Sequence, residues 1–390
     1  MDIQLILLIA SGALAFVYCA MVMYFFAGWV STKKFVEAAS EATFQKSVTI
    51  IVPVRNEEKN IAACLESIFK QDYPKHLFEV IVVDDYSTDG TRRIVRETSF
   101  PALRLFDLQQ YLGNRGEKKP NKKEALSIGI KNAQGELIVT TDGDTVRSEK
   151  WLSTLVRFYQ QNECKLVTAP VVVNPAYTPL QMLQQADVVS LMGITAATIR
   201  FQHPTMCSGA NLLYAKETFH ELEGFKGNND VPSGDDIFLM QKVYAKYPDG
   251  VGFVKSFDAT VFTRAESGLF SFFSQRIRWA SKSTGYATWW VKMMLLYAYI
   301  FNAATLGVAV WCGISFATTL NVETLVPAFI LLGSKLFIDM LFNVPLLIFF
   351  KKWWLIFVFP IIELLHILYI LLVGLLSLSG RYRWRGRKVS

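Results

Sequence analysis

Four groups of residues in this chain could do chemistry together: Asp84-Asp85, Asp142-Gly143-Asp144, Asp235-Asp236 and Gln275-Arg276-Ile277-Arg278-Trp279. Two carboxylates one residue apart on a turn can converge on one cation, and Gly143 lets the backbone bend tightly between them. Mg2+ or Mn2+ takes hard oxygen ligands, and Mg2+ usually combines one or two carboxylates with substrate phosphates. An acid at Asp84-Asp85 can accept hydrogen bonds from a base N–H or a ribose hydroxyl. An ordinary Asp, with a pKa of about 3.9, is a poor base at neutral pH. Adjacent acids and partial burial raise it, which suits Asp235-Asp236 to general-base work. Arg278 offers planar donors for a departing diphosphate, and Trp279 a flat face for a sugar ring. Each group also has a plain structural explanation: turn capping by Asp84-Asp85, helix capping by Asp235-Asp236, and an interfacial amphipathic helix over 275–279.

The elements around these groups favour a site. Ser47-Val-Thr-Ile-Ile-Val-Pro-Val54 is a β-branched run that ends in the polar turn Arg55-Asn-Glu-Glu58. The helix after it places Ile61, Cys64, Leu65, Ile68 and Phe69 on one face. A second strand over 78–83 ends in Asp84-Asp85. The turn Ser87-Thr-Asp-Gly90 then opens a helix with Ile94 and Val95 inward. A third strand over 136–141 runs into Asp142. A basic loop over 112–123 precedes a helix over 124–133, and further strands are expected at 165–173 and 252–257. Strands alternating with helical patterns predict a parallel sheet with helices on both faces. Ligands in such sheets lie at the carboxyl ends of the strands, where the acids fall. Neither G-x-G-x-x-G nor G-x-x-x-x-G-K-[ST] occurs, so dinucleotide and P-loop readings have no support.

Charge and hydropathy are unevenly spread. Residues 1–30 carry one charged side chain, Asp2. Residues 5–29 would form a helix of about 37 Å, enough for a hydrocarbon core of ~30 Å. No Lys or Arg precedes this run and Lys33-Lys34 follow it, which argues against a cleaved signal. The positive-inside rule puts the N-terminus outside and the next domain in the cytoplasm. Apolar segments recur at 294–317, 325–350 and 353–378. The net charge of +7 concentrates beside these segments, at Lys33-Lys34, Lys351-Lys352 and the tail 381–388. That pattern fits membrane lipids and phosphate chemistry, not nucleic acid. The five cysteines are scattered with no C-x-x-C pair, which fits a reducing compartment and argues against zinc. The expected organisation is therefore a membrane helix and basic stop (1–34), a soluble domain (40–285), an interfacial helix with membrane segments (286–380) and a basic tail (381–390).

Three simple crossings after a cytoplasmic domain would leave the basic tail outside, so an even number of crossings is expected. Lys335 and Asp339, four apart, should pair across one helical turn, and Glu363 and His366 should meet in the bundle. Pro327 suits a helix start, whereas Pro345 and Pro360 suit kinks.

The runs Ile51-Val-Pro-Val-Arg-Asn-Glu57, Val82-Val-Asp-Asp-Tyr-Ser-Thr-Asp-Gly90, Lys122-Lys-Glu-Ala-Leu126, Asp142-Gly-Asp144, Ser208-Gly-Ala-Asn211, Gly234-Asp-Asp236 and Gln275–Trp279 stand in register. Together they resemble the membrane-bound family 2 glycosyltransferases with a (Q/R)-x-x-R-W motif. That branch includes cellulose, hyaluronan and poly-N-acetylglucosamine synthases and ceramide glucosyltransferase. The resemblance implies an α/β GT-A fold, a Rossmann-like mixed sheet with helices on both faces, plus transmembrane helices. It implies an inverting transfer from a nucleotide sugar, expected to be a UDP-sugar, with Mg2+ or Mn2+. Pro53, Glu57 and Asp85 would contact the nucleoside, Lys122 the phosphate region, and Asp142 and Asp144 the ribose and metal diphosphate. Asp236 falls at the general base, with Asp235 where the family commonly has Glu. Ser208, Gly209 and Asn211 would shape the acceptor pocket. Gln275 and Arg278 would bind diphosphate, and Trp279 would lie against the acceptor.

The expected function is sugar transfer to a lipid or lipid-linked acceptor at the cytoplasmic face of a bacterial-type membrane. The alternative is a processive polysaccharide synthase, for which three or four C-terminal segments are few without an accessory subunit. A catalytically dead scaffold is disfavoured by the presence of every expected acid.

Overall fold

The computed structural model describes residues 3–36, 44–112, 122–227, 234–281, 289–377, 382–384 and 387–389. Most of the basic loop at 112–123, residues 231–233 before Asp235, and much of the basic tail lie outside the described residues. In chain order the elements are α1 (Ile3–Ser31), β1 (Val48–Val54), α2 (Ile61–Phe69), β2 (Phe78–Asp84), α3 (Thr91–Glu97), β3 (Leu103–Asp107) and α4 (Leu108–Leu112). Then come α5 (Lys122–Asn132), β4 (Leu137–Thr140), β5 (Thr145–Arg147), α6 (Trp151–Asn162), β6 (Leu166–Thr168), β7 (Val171–Val173) and α7 (Pro179–Arg200). The chain continues through β8 (Leu212–Ala215), α8 (Lys216–Glu221), α9 (Asp235–Lys246), β9 (Val251–Phe253), β10 (Val261–Thr263) and α10 (Leu269–Ser281). It ends with α11 (Trp289–Thr319), α12 (Val326–Phe349), α13 (Leu355–Ser377) and the short pair β11 (Tyr382–Trp384) and β12 (Arg387–Val389).

Two compact units result. The sheet unit comprises Ser31–Asn174 and Thr198–Arg264; the helical unit comprises Met1–Val30, Pro175–Ala197 and Ala265–Ser390. This division differs from the expected single soluble stretch over 40–285, because α7 and α10 pack with the long apolar helices. Ser190 of α7 bonds Asn343 of α12 at 2.6 Å. A Cβ on Gly193 would sit 2.5 Å from Leu346 Cδ2. Phe272 of α10 meets Tyr369 of α13 with ring centroids 5.3 Å apart.

The sheet unit holds a seven-stranded sheet in the order β3-β2-β1-β4-β8-β6-β9. β1, β2, β3 and β4 run parallel, and β8 pairs antiparallel with both β4 and β6. Alternation along β1 loads both faces. Ile50, Val52 and Val54 share one core with Ile61, Cys64 and Leu65 of α2 and Trp151, Leu152 and Leu155 of α6. Ile51 points the other way, where a Cβ on Gly129 of α5 would come within 2.7 Å of its Cγ2. Each such buried aliphatic side chain contributes about 1.5–3 kcal/mol relative to exposure. The mixed sheet with covering helices is the expected GT-A arrangement. The strand expected at 165–173 is broken in two: β6 joins the main sheet and β7 a second sheet, β5-β10-β7. Pro170 lies at the break, where it has no N–H for a continuous ladder.

Among the described residues, four helices are long and apolar enough to cross a membrane: Ile3–Ser31, Trp289–Thr319, Val322–Phe349 and Leu355–Ser377. Three of them follow the sheet unit in the chain. Pro327 falls at the first turn of α12, as expected, and Pro345 and Pro360 lie inside their helices.

Two hydrogen bonds involving Lys255 fix residues 32–35 within the sheet unit. Phe35 N donates to Lys255 O, and Lys255 Nζ donates to Thr32 O, each at 2.9 Å. Burial, aided by Lys34, pushes the Lys255 ammonium down to about 8. The unfolded chain, with an ordinary lysine near 10.5, binds the extra proton between these values. Lys255 therefore penalises folding fully below pH 8, and the penalty disappears as pH rises through that interval. The difference in unfolding midpoint between wild type and Lys255→Met should shift in favour of wild type from pH 8 to pH 10; a pH-independent difference would refute this.

Candidate active site

The carboxyl ends of β1, β2 and β4 form one edge. Register sets Val54 beside Asp84 and Ile51 beside Thr140. Asp85 N donates to Val54 O at 2.8 Å, and Arg55 Nη1 donates to Asp85 O at 2.6 Å. The loops after β1 and β2 interlock further. Asn56 N donates to Ser87 Oγ, and Thr88 N donates to Asn56 Oδ1. Asn56 and Tyr86 take positive φ, 53° and 56°, a conformation Asn tolerates better than Tyr. Glu57 and Asp85 are both buried, and Pro53 is half-buried. Glu57 N donates to Thr91 Oγ1, and its Oε2 accepts from Asn60.

Asp84 has a different task from Asp85. It is fully buried, accepts from Ser87 N at 3.0 Å, and faces Arg92 Nε at 3.7 Å. Burial pushes its carboxyl up, while the Ser87 bonds and Arg92 pull it down. Arg92 also binds Asp107 at 2.8 Å and Ser87 O at 3.0 Å. This brace holds the loop from beneath. The pairing across β2 and β3 gave no signal in the sequence, because the strand at 103–107 lacks a clear apolar pattern.

The turn Asp142-Gly143-Asp144 lies beside this edge. A Cβ on Gly143 would stand 2.8 Å from Val54 Cγ1 and 3.3 Å from Glu57 Cγ, so the close approach requires glycine. Lys122 Nζ reaches Asp142 Oδ1 at 2.5 Å. Burial alone would lower the Lys122 ammonium, but Asp142, Asp235 and Asp236 together hold it well above the ordinary lysine range. One cation thus senses all three acids, which places the acidic turn and the start of α9 around a common point. Asp142 and Asp144 supply hard oxygens suited to Mg2+ or Mn2+. Among the described residues no group of three or more His, Cys, Asp or Glu could hold a metal. The pair fits a cation that takes its remaining ligands from a bound diphosphate.

Arg147 supports this turn from below and was missed in the sequence. It is buried; its Nη2 donates to Thr145 O at 2.8 Å, to Thr145 Oγ1 at 2.7 Å, and to Cys64 Sγ at 3.5 Å. Thr145 Oγ1 in turn donates to Asp142 O at 2.6 Å. The guanidinium lies 5.0 Å over the Trp151 ring. The sequence carried no signal for it: alternation in Thr145-Val146-Arg147 would turn the valine inward, yet Val146 is exposed and Thr145 and Arg147 are buried.

Asp235 and Asp236 open α9 after Gly234, whose φ is +94°. Asp235 is buried, whereas Asp236 is partly exposed. Asp236 Oδ2 accepts from Gly209 N and its Oδ1 from Ile237 N, both at 2.9 Å. The Ser208–Asn211 run is therefore joined to the acids through Gly209. A Cβ on Gly209 would lie 3.5 Å from Asp235 Oδ2 and from Asp236 Cβ. Asn211 departs from its expected place in an acceptor pocket. It is fully buried, donates to Pro170 O and Ala259 O at 2.8 Å each, and accepts from Trp151 Nε1 at 2.9 Å. Those bonds use both amide hydrogens and the amide oxygen, so Asn211 brackets three segments of the sheet unit.

The run Gln275–Trp279 lies on α10, in the helical unit. Gln275, Arg278 and Trp279 are half-buried, and Gln275 Nε2 donates to Glu266 Oε1 at 3.2 Å. Spacing of three and four places these residues on one face. The buried arginine of the run is Arg276.

Residues 49–223 match the family described as Glycosyl transferase family 2, and residues 137–376 match Glycosyl transferase family group 2. The second match spans more than half of the chain, which therefore belongs to Glycosyl transferase family group 2. It is 27% identical over 179 residues to a dolichyl N-acetyl-alpha-D-glucosaminyl phosphate 3-beta-D-2,3-diacetamido-2,3-dideoxy-beta-D-glucuronosyltransferase of Methanococcus voltae, covering 44% of this chain and 49% of that protein. It is 32% identical over 126 residues to the dodecaprenyl-phosphate galacturonate synthase of Rhizobium johnstonii, covering 31% and 34%. These matches span less than half of either relative. A mannosyltransferase from Pyrobaculum calidifontis, solved with GDP-Man and Mn2+, shares the fold at TM-score 0.55 and 21% identity, over 94% of this chain and 98% of that one.

Arg147→Met should weaken Mn2+ binding to the full-length chain by roughly tenfold, a typical effect of losing an outer-shell support. Titration with Mn2+ alone checks this, and unchanged affinity would remove Arg147 from the site. Asn211→Ala should lower the unfolding midpoint, because it leaves buried Ala259 O and Trp151 Nε1 unpaired at about 1–3 kcal/mol each, whereas Pro170 O keeps its bond from Val261 N.

Proposed function

We propose that this glycosyltransferase moves a sugar from a nucleoside-diphosphate sugar, a UDP-sugar in the first instance, to a lipid or lipid-linked acceptor at the cytoplasmic face of a membrane. The observation that carries this reading is the Lys122–Asp142 ion pair at the carboxyl edge of the sheet, with Asp236 fixed by Gly209 N, in a chain whose described residues include four apolar helices. Relatives named for dolichyl and dodecaprenyl phosphate acceptors support the lipid side. The Gln275–Trp279 run supports a place in the (Q/R)-x-x-R-W branch.

Pro53, Glu57 and Asp85 hold the nucleoside against the ends of β1 and β2. Asp142 and Asp144 hold a divalent cation, which when bound neutralises charge developing on the diphosphate. Lys122, now on Asp142, is placed to turn its ammonium to a phosphate oxygen. Asp236 takes the proton of the attacking acceptor hydroxyl. Its partly exposed position and its two backbone hydrogen bonds fix the carboxylate for that task, while buried Asp235 backs it. Attack opposite the departing diphosphate inverts the anomeric carbon. Gln275 and Arg278 assist the diphosphate, Trp279 packs on the acceptor, and Ser208 and Gly209 border its pocket.

Membranes carrying the full-length chain, incubated with Mn2+ and a panel of labelled nucleotide sugars, should yield one discrete glycolipid by mass. A polymer would instead establish a processive synthase, and no turnover of any donor would refute the enzyme reading. Asp236→Asn should reduce transfer about 100-fold or more, the usual scale for a general base. Full activity in that variant would displace Asp236 from the role.

A further inference from the structure

The helical unit contains a buried chain of ionisable side chains that the proposed reaction does not use. Tyr18 Oη on α1 donates to Asp339 Oδ1 and Oδ2 at 3.0 and 2.9 Å. Lys335 Nζ, on α12 with Asp339, lies 2.8 Å from Asp339 Oδ2 and 2.7 Å from Glu363 Oε1 on α13. His366 stands between two carboxylates, with Nδ1 3.4 Å from Glu363 Oε1 and Nε2 3.6 Å from Asp187 Oδ1 on α7. Asp187 Oδ2 closes on Arg276 Nη2 of α10 at 2.9 Å. A second strut returns to α7 one turn later, where Ser190 donates to Asn343, and Asn343 donates to Asp339 O.

The far end of this chain is a ring of the motif. Arg276 is only 2% exposed. Its guanidinium carbon lies 4.2 Å from the centroid of Trp279 and 5.3 Å from that of Phe272. A guanidinium stacked at that distance fixes the plane of an indole ring. Its charge needs Asp187, because a lone buried cation costs far more than a pair. Asp187 in turn is held on its other oxygen by His366. Stability alone does not explain the arrangement, since apolar residues of similar volume often serve a buried site as well or better. Directional pairs across α1, α7, α10, α12 and α13 do set the register of these helices, and with it the seat of Trp279.

We propose that Arg276 is a positioning residue for transfer, which orients Trp279 toward the acceptor and is itself held by the Asp187–His366–Glu363–Lys335–Asp339 chain. The paired acids and bases here carry no catalytic step. The role is conformational: losing the brace lets the Trp279 ring turn, so a bound donor meets water in place of a seated acceptor. This inference rests on the reading of Trp279 as an acceptor-side residue.

The test uses the full-length chain in native membranes, Mn2+, and the labelled nucleotide sugar that the wild type transfers best. The readout is the ratio of label in lipid to label released as free sugar. Arg276→Met should lower that ratio about tenfold while total donor consumption stays within about threefold. Arg276→Lys, which keeps the charge facing Asp187 but not the planar stack, should fold and recover part of the ratio. Glu363→Gln, two links away, should lower the ratio in the same direction by roughly threefold, within the range for coupling through a packed network. A parallel loss of transfer and hydrolysis in Arg276→Lys would make the residue a fold-supporting one and overturn the proposal. So would an unchanged ratio in Arg276→Met, or in Glu363→Gln. If the wild type labels no lipid with any donor, the acceptor reading fails and takes this inference with it. If the wild type transfers normally and the variants keep its ratio, only the positioning role falls.

Discussion

The register of β1 between β2 and β4 is the constraint on which the candidate site depends. Val54 pairs with Asp84 and Ile51 with Thr140, so β1 and β2 end level and β4 ends three residues earlier, where the Asp142 turn begins. A slip by one residue would exchange the faces of Ile50 and Ile51 and drive a core side chain toward the wrong helix layer. It would also separate Asp85 from the Val54 carbonyl that fixes it. The functional acids need no special backbone of their own, because the ladder delivers them. What the loops add is locking: Asn56 to Ser87 and Thr88, and Arg55 to the Asp85 carbonyl.

Much of this was legible in the sequence because the buried strands announce themselves. Val80-Ile-Val-Val83 and Val48–Val54 are apolar runs with polar ends, and parallel pairing follows from the helices between them. The acids could be placed for the same reason: they interrupt apolar runs. What escaped were residues whose tasks depend on partners far away in sequence. Asn211 looks like part of a polar acceptor loop until its amide is seen between Trp151, Pro170 and Ala259. Arg147 reads as an exposed basic residue after an acidic turn, yet its guanidinium supports that turn. The break at Pro170 was hidden for a further reason: both halves of 165–173 are apolar and each is buried, but in different sheets.

The membrane part was legible in its segments and only partly in its connections. The four apolar helices and the Lys335–Asp339 and Glu363–His366 pairs follow from hydropathy and helical spacing. The allegiance of α7 and α10 to the helical unit does not, because neither is apolar throughout. α10 carries five charged or polar residues among Ser274–Arg278 and Ser281, and its apolar stripe alone cannot say which partner it covers. Only the contacts through Phe272, Ser190 and Gly193 decide it.

The interleaving of the two units has a consequence for biosynthesis. β8 pairs on both sides, with β4 and β6, so it is an interior strand of the main sheet. Yet it is made after α7, a 22-residue helix that belongs largely to the other unit. As the chain leaves the ribosome, β4 must wait with an unpaired edge for about 70 further residues, several seconds at ordinary elongation rates. Leu137-Ile-Val-Thr140 is wholly apolar apart from its last residue, the kind of edge that recruits foreign strands. Nascent chains of this enzyme therefore have their most vulnerable interval before residue 215 emerges, and substitutions that delay the seating of α7 would surface as poor yield, with binding in the surviving molecules intact.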